Sequence, residues 1–506
     1  VTSTIASLRA YLVETADLTS ATALLSWDQN THMPPAAAAE RGRQLAALHR
    51  VIHQRLIDPE LGRILDELEG LEDRHPANSD VVSLIRVARY RHQHSLRVPT
   101  EFRVRQAEHQ AGSYQNWLEA WEASDFGVVE ETLETTLDLS LEFSSFFPEA
   151  DHPADPHIAT ADTGLTATEV SRVFGELRAS LVPLVQRVVE RPGPDSSVLY
   201  GPFPREAQVT FALDVARDFG FDFGRGNWAW THHPFATKIS PDDVRITTRA
   251  SERHLGDGVF ATLHEVGHGL YNQGAKAAGP ILDGGLGRPG GFSTAIHESQ
   301  SRLWENLVGR SLPFWQHYYP TLQDTFPEAL HNLPLEHFYA AINKVEPSLI
   351  RTGADELTYN LHIMIRVELE RALLEGSLPV RELPEAWRAL YLRDLGIEPE
   401  RDREGVLQDV HWYSGLIGGA FQGYTLGNVL GAQFFEAAKG ADVEVEGGVG
   451  RGEFGSLLGW LQDTIYRHGI RFSTPELVER VTGKRMTTAP YLRYLTEKFG
   501  RLYGLD

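Results

Sequence analysis

Apolar residues recur at three- and four-residue spacings through 3–28, 36–57, 59–72, 79–96 and 99–124. The pattern continues through 127–147, 166–190 and 204–219, and a chain written this way folds as helices packed on helices. Breakers separate the segments: Met33-Pro34-Pro35, Pro153 to Pro156, and Arg191-Pro192-Gly193-Pro194. The period changes once. Between 221 and 249, Trp228-Ala229-Trp230-Thr231 and Asp243 to Arg249 alternate and are rich in aromatic and β-branched residues, which predicts two or three short strands. Helix resumes from 257 and dominates to the end. It is interrupted by a glycine-rich loop, Asp283 to Gly291, and by an acidic, glycine-rich stretch, Asp442 to Gly452, read as a surface connection. No repeat or low-complexity linker divides the chain, so residues 1–506 read as one mainly α domain of two helical lobes around a cleft.

Composition narrows the chemistry. There is no cysteine, which removes disulfides, thiolate metal sites and a Cys nucleophile. Any metal must therefore be held by His and carboxylates. With 69 acidic against 47 basic residues the net charge is −22, which disfavours a nucleic-acid surface. No apolar run approaches the roughly 18 residues of a spanning helix, so no membrane partner is expected. Val1 to Val13 lacks a basic segment followed by an apolar one, so no secretory signal is read there and a cytoplasmic location is expected.

One segment carries the chemistry. From Asp257 to Gln273, Phe260, Leu263, Val266 and Leu270 form an apolar stripe. His264 and His268 sit four apart, so their imidazoles leave the helix on one face, one turn apart. Two imidazoles so placed fill two corners of a zinc tetrahedron. Glu265, between them in sequence, is poorly placed to ligate but well placed to act as base on water at the metal. The bland reading is two solvated histidines on a helix face. Gly267 and Gly269 count against it, because each costs a helix about 1 kcal/mol and so implies a close approach of something bulky.

A third ligand is needed. In Ser293 to Arg302, Glu298 lies off the apolar stripe of Ile296, Leu303, Trp304 and Leu307 and is the preferred candidate. His297 is the alternative, but it points about 100° away, so only one of the two can face the metal. The competing reading of Glu298 is an i,i+4 ion pair with Arg302. A His-His-Glu set leaves one position for water, as a catalytic zinc requires.

Further motifs extend the pattern: Trp27-Asp28 with Met33-Pro34, His233-Pro234-Phe235, and Asp243-Val244-Arg245-Ile246-Thr247. Others are His297-Glu298-Ser299-Gln300-Ser301, Ile350-Arg351-Thr352-Gly353-Ala354-Asp355-Glu356, and Gly405 to Trp412. With these motifs the chain resembles, nearly end to end, the carboxypeptidase Taq family of zinc metallocarboxypeptidases. The resemblance implies a large helical fold like that of neurolysin, with a deep central groove and a small β-sheet beside the zinc helix. It implies a homodimer that removes C-terminal residues from peptides with broad side-chain tolerance, poorly at terminal proline. Zinc ligation by His264, His268 and Glu298 and base duty for Glu265 carry over. One zinc per chain is expected, and cobalt can substitute. The chain departs from the family after Trp412, where Ile417-Gly418-Gly419-Ala420-Phe421-Gln422-Gly423-Tyr424 replaces an aromatic-rich stretch. That bears on side-chain preference rather than on the hydrolytic centre.

The remaining roles combine this resemblance with chemistry. A free carboxylate is best bound by a planar bidentate cation, and Arg351 is the candidate, against a structural pairing with Asp355. His411 and Tyr424 are candidate donors to the oxyanion, with Asp409 orienting an imidazole. Arg245 is a second candidate substrate contact, on a strand that could add an extended peptide, or is structural through Asp243 or Glu252. An endo-acting zinc oligopeptidase is the nearest rival function. A non-catalytic peptide-binding protein is the other, but it has no use for Glu265.

Overall fold

The helices form where apolar residues recur at helical spacing, and several start where a side chain caps the first turn. The computed structural model describes residues 2–76, 79–287, 291–441 and 444–505. Thr2–Thr31 buries Leu8, Leu12 and Ala16 at four-residue intervals and ends before Pro34-Pro35. Asp58 caps Pro59–Glu67 by accepting from the Glu60 N–H at 2.8 Å, with Pro59 in the first turn, where a missing N–H costs nothing. Thr166 does the same for Ala167–Val189, accepting from Glu169 N–H at 3.3 Å. Ser473 and Glu476 close a reciprocal capping box on Thr474–Thr482.

Two short helices lie where loops or connections were expected. Asp155–Ala161 starts at the proline-marked break, because Pro156 is tolerated in a first helical turn. Val445–Arg451 forms within the stretch read as a surface connection, although residues 442–443 of that stretch fall outside the described ones. Its glycines disfavour helix, but Val445 and Val449 are buried, and Gly450 packs against Pro313 of the helix Leu312–Thr325. Tertiary burial overrides propensity there.

The chain divides into two compact units, each assembled from three stretches. One comprises Val1–Leu96, Asp195–Ile342 and Gly431–Arg485; the other comprises Arg97–Pro194, Asn343–Leu430 and Met486–Asp506. Because the stretches interleave, no point in the sequence separates the units. The first unit has a leucine-rich core built from Leu12, Leu61, Leu65, Leu84 and Ile85, closed by Leu282, Leu286 and Ile470. In the second, Ala167–Val189 buries Val173, Leu177, Leu181, Leu184 and Val188 along one face. No helix among the described residues is long and apolar enough to cross a membrane.

All three strands belong to the first unit: β1 (Gly226–Trp230), β2 (Ala236–Ser240) and β3 (Asp243–Thr248), in the order β1-β3-β2. β1 runs parallel to β3 and β2 antiparallel to it, so Arg245 faces Asn227 on one side and Thr237 on the other. The expectation that Arg245's strand could add a peptide strand is therefore corrected. Both of its edges are already paired, and only β1 and β2 have free edges. β3 instead braces the helix Leu255–Gly274, through a 2.8 Å hydrogen bond between the buried hydroxyls of Thr248 and Thr262.

Candidate metal centre

The helix Leu255–Gly274 buries Phe260, Leu263, Val266 and Leu270 and turns His264 and His268 to its half-buried face. Its glycines explain how neighbours come so close. A Cβ on Gly267 would lie 2.6 Å from the Gln300 carbonyl oxygen and 2.7 Å from Ser301 Cα. Those atoms are backbone of the helix Thr294–Arg302, which cannot give way. On the opposite side, a Cβ on Gly269 would meet the Phe221 ring at 2.6 Å and Ile246 of β3 at 3.3 Å. The bulky neighbours implied by the two glycines are thus a helix backbone on one side and the Phe221 ring with β3 on the other.

That close helix, capped by Ser293 on the Ile296 N–H at 3.1 Å, brings in Glu298. Glu298 Oε2 lies 3.6 Å from His264 Nε2 and 3.3 Å from His268 Nε2. Tetrahedral donors at about 2.0–2.1 Å from zinc would be about 3.3–3.4 Å apart, so these spacings match the edges of such a site. Among the described residues, His264, His268 and Glu298 form the one group whose donor atoms gather for a metal. The alternative ligand His297 sits behind His268 instead, with the two Nδ1 atoms 2.5 Å apart and His297 Nε2 3.1 Å from Asn272 Oδ1.

The proton positions follow from the partners. His264 Nδ1–H donates to Glu305 Oε2 at 2.9 Å, which leaves Nε2 bare. If His268 Nδ1–H donates to His297 Nδ1, His297 Nε2–H donates in turn to Asn272 Oδ1, and His268 Nε2 is bare as well. Glu298 divides its oxygens: Oε1 accepts from Arg302 Nε at 2.7 Å, while Oε2 faces the imidazoles and takes the Ser301 hydroxyl at 3.1 Å. The i,i+4 pair with Arg302 therefore exists, but it is a buried brace for Glu298 rather than a surface pair. Arg302 also reaches Glu305 at 3.3 Å, and Arg310 reaches it at 3.5 Å.

Sequence reasoning missed Glu305. It follows Glu298 by seven residues, two turns along one face, and that spacing was the available signal. The backbone between is less legible, because Leu303–Val308 is a π-helix, a wider turn that recurs at functional sites.

Electrostatics separate three buried carboxylates. Burial works to raise Glu298, but Arg302, His264 and His268 outweigh it and hold it well below the ordinary range. Glu305 is treated alike, with Arg302 and His264 pulling it down to about 2. Glu265 goes the other way: burial, reinforced by Glu298 and Glu305, pushes it up to about 7. Its Oε2 is buried without a hydrogen-bond partner among the described residues. Two bare imidazole nitrogens, one carboxylate oxygen at tetrahedral spacing and an orphaned carboxylate oxygen on the same helix fit a hydrolytic divalent metal.

The other predicted residues lie in the second unit, apart from Arg245, which belongs to the first. Arg245 forms a bidentate pair with Asp243 at 2.8 and 2.9 Å and lies 4.6 Å over the Trp27 ring. Arg351 is buried and donates to Asp409 Oδ1 from Nε at 3.1 Å and Nη2 at 2.7 Å, and to the Tyr359 hydroxyl at 3.4 Å. It does not pair with Asp355, whose carboxylate is taken by the Glu346, Leu357 and Thr358 N–H groups. Asp409 was expected to orient an imidazole, and here the structure differs. Its oxygens serve Arg351 and Arg366, and His411 Nδ1 is 3.7 Å away, beyond a hydrogen bond. His411 Nε2 and the Tyr424 hydroxyl are 3.4 Å apart. In the segment that departs from the family pattern, Phe421 is fully buried and packs its ring 4.5 Å from His411. Gly418 and Gly419 run so close to His157 that a Cβ on Gly419 would lie 2.6 Å from its carbonyl oxygen.

Comparison with known proteins adds independent findings. A sequence model of the carboxypeptidase Taq (M32) metallopeptidase family matches residues 7–499. The chain is similar to thermostable carboxypeptidase 1 of Thermus thermophilus, 41% identical over 501 residues and 97% of each chain. It is also similar to carboxypeptidase 1 of Bacillus subtilis, 32% identical over 493 residues and 96% of each. Among solved structures, the M32 carboxypeptidase from Deinococcus radiodurans R1 superposes with a TM-score of 0.94 at 47% identity, over 99% of this chain and 100% of that one.

Proposed function

Since the chain belongs to the carboxypeptidase Taq (M32) metallopeptidase family and is a metallocarboxypeptidase, we propose that its metal is zinc and that it trims peptides from the C-terminus with broad side-chain tolerance, poorly at terminal proline. The observation that carries the zinc reading is the spacing of His264 Nε2, His268 Nε2 and Glu298 Oε2 beside the orphaned oxygen of Glu265. Cobalt, with similar ligand preferences, is expected to substitute.

Zinc held by His264, His268 and Glu298 supplies Lewis acidity to a water molecule and to the scissile carbonyl. Glu265 is the proton carrier: it takes a proton from the attacking water and returns it to the leaving amine. His411 and Tyr424 are assigned to the oxyanion and Arg351 to the terminal carboxylate of the substrate, with Arg245 as a further substrate contact; chemistry and the family resemblance support these roles. Three of the five guanidinium N–H groups of Arg351 are engaged with Asp409 and Tyr359, which leaves two for a carboxylate. The same reading takes the protein as a cytoplasmic homodimer, which light scattering on the purified enzyme tests for assembly.

The exo-specificity test uses one peptide as free acid and as C-terminal amide. The amide cannot form the charged pair, so the wild type should cleave it poorly, whereas an endopeptidase would cleave both. A charge-assisted pair is worth about 1.5–3 kcal/mol, so Arg351→Ala should lower kcat/KM for the acid by roughly ten- to a hundredfold. The amide should suffer far less. An equal penalty on both substrates would make Arg351 a purely structural residue.

Glu305→Ala tests the support of the centre. It removes the acceptor that fixes the His264 ring, so zinc affinity measured by chelator competition should fall about ten- to a hundredfold. Unchanged affinity would deny Glu305 that role.

A further inference from the structure

The first unit contains a second concave site whose charge runs against the rest of the chain. Its cavity, about 590 Å³, is lined by Asp80, Asp463, Arg467, His468, Arg471 and Arg480, with Phe472 among the remaining walls. The turn that presents these cations is rigidly built. Gly469 has φ +54°, and a Cβ there would lie 1.9 Å from the Leu282 carbonyl oxygen, which instead accepts from Ile470 N–H at 2.8 Å. Only glycine fits the bend between His468 and Ile470.

The three arginines do different work. Arg471 is buried and fully used: Nε and Nη2 donate to Asp80 Oδ1 at 3.0 and 2.8 Å, and Nη1 donates to the carbonyl oxygens of Arg467 and His468. Arg467 and Arg480 are exposed and, among the described residues, make no ion pair. Exposed arginines elsewhere in this acidic chain commonly face a carboxylate, as Arg63 does with Glu60 and Arg105 with Glu142. The nearby acids do not quench these two. Asp80 gives its Oδ1 to Arg471, Asp463 forms no ion pair among the described residues, and Glu476 on the helix carrying Arg480 is turned to Ser473 and Arg86. The Arg480 guanidinium lies over the Phe472 ring at 5.0 Å, and His468 meets the same ring edge-on at 5.2 Å. His468 is in turn pushed down to about 4 by burial and by Arg480, Arg471 and Arg467.

We propose that this cavity is a binding site for a small phosphate-bearing molecule, held by Arg467 and Arg480 with the His468 ring beside them. Two guanidinium forks presented across a rigid cavity suit the tetrahedral oxygens of a phosphate. The volume falls in the range of small-molecule sites and exceeds what a bare phosphate fills. A nucleic acid is disfavoured, because the rest of the surface is strongly anionic.

Calorimetric titration of the full-length enzyme with inorganic phosphate and with adenosine 5′-monophosphate tests the site. Saturable binding of one ligand per chain is expected. Arg467→Gln and Arg480→Gln should each weaken it about tenfold or more, and the double variant should abolish it. Both side chains are exposed and outside the peptidase machinery, so peptide hydrolysis should stay at the wild-type rate. Tighter binding of the nucleotide assigns the site to a phosphate ester, and equal affinity assigns it to free phosphate. No saturable binding of either probe in the millimolar range, or binding unchanged in both variants, overturns the proposal.

Discussion

Glu265→Gln is expected to leave the metal in place and remove turnover. The side chain is buried on the helix between the two histidines in sequence, outside the group of three donors. Gln matches its shape, so the packing around Val266 and the approach at Gly267 are undisturbed. It also removes a charge that Glu298 and Glu305 disfavour. The amide cannot accept a proton from water, and general-base catalysis is worth about 10²–10⁴ in rate, so kcat should fall by that order at stoichiometric metal. A second signature follows from linkage in metal-free protein. Burial raises the Glu265 carboxyl from 4.5 to about 7, so the folded state holds this proton more tightly than the unfolded chain does. The stability it contributes is complete below the unfolded value and is lost as pH rises through the folded one. The Gln variant lacks that loss, so its melting temperature should gain on wild type between pH 4.5 and about 7. Near-wild-type hydrolysis with full metal would remove Glu265 from the mechanism, and loss of metal would move it into the ligand set.

What the sequence made legible is what depends on near neighbours along the chain. The helical period, the change of period before the metal helix and the paired faces of His264 and His268 are all local, and the structure has each of them. Glu298 was readable for the same reason, since its helix carries one apolar stripe and Glu298 lies off it. Long-range facts were not readable. The central place of β3 depends on strand order, which a run of alternating residues does not state. Glu305 reaches His264 from 41 residues away across a π-turn with no compositional mark. Arg366 reaches Asp409 from 43 residues away, and no spacing rule connects them. The Val445–Arg451 helix was hidden by its own glycines and exists because Val445 and Val449 have somewhere to be buried. In each case the missing information was a partner from elsewhere in the chain.

Asp409→Asn should be the most destabilising single substitution considered for the second unit. Arg366 is fully buried and donates to Asp409 Oδ2, while Arg351 holds Oδ1 at 2.7 Å. Burial alone would raise the Asp409 carboxyl, but Arg366 and Arg351 outweigh it and hold it well below the usual carboxylate range. The Arg366 guanidinium has other contacts, the His362 carbonyl oxygen at 2.7 Å and the Trp387 ring at 4.6 Å, but among the described residues no other carboxylate pairs with it. Asn keeps the volume and removes the charge, leaving two desolvated guanidinium groups without a counter-ion. Removing one partner from a buried ion pair costs about 3–5 kcal/mol, which should appear as a large drop in the urea midpoint at neutral pH. The pH dependence has a definite sign. A depressed carboxyl contributes stability above its unfolded value of 3.8 and loses it as pH falls towards the folded value. The gap between wild type and variant should therefore be widest at neutral pH and narrow progressively below about pH 4. Arg351 also loses its anchor, so KM for a free-acid peptide should rise in any variant that remains folded, and by more than for the amide. A variant as stable as wild type at neutral pH would mean that the two guanidinium groups do not depend on Asp409, and the account of how Arg351 is held would fall with it.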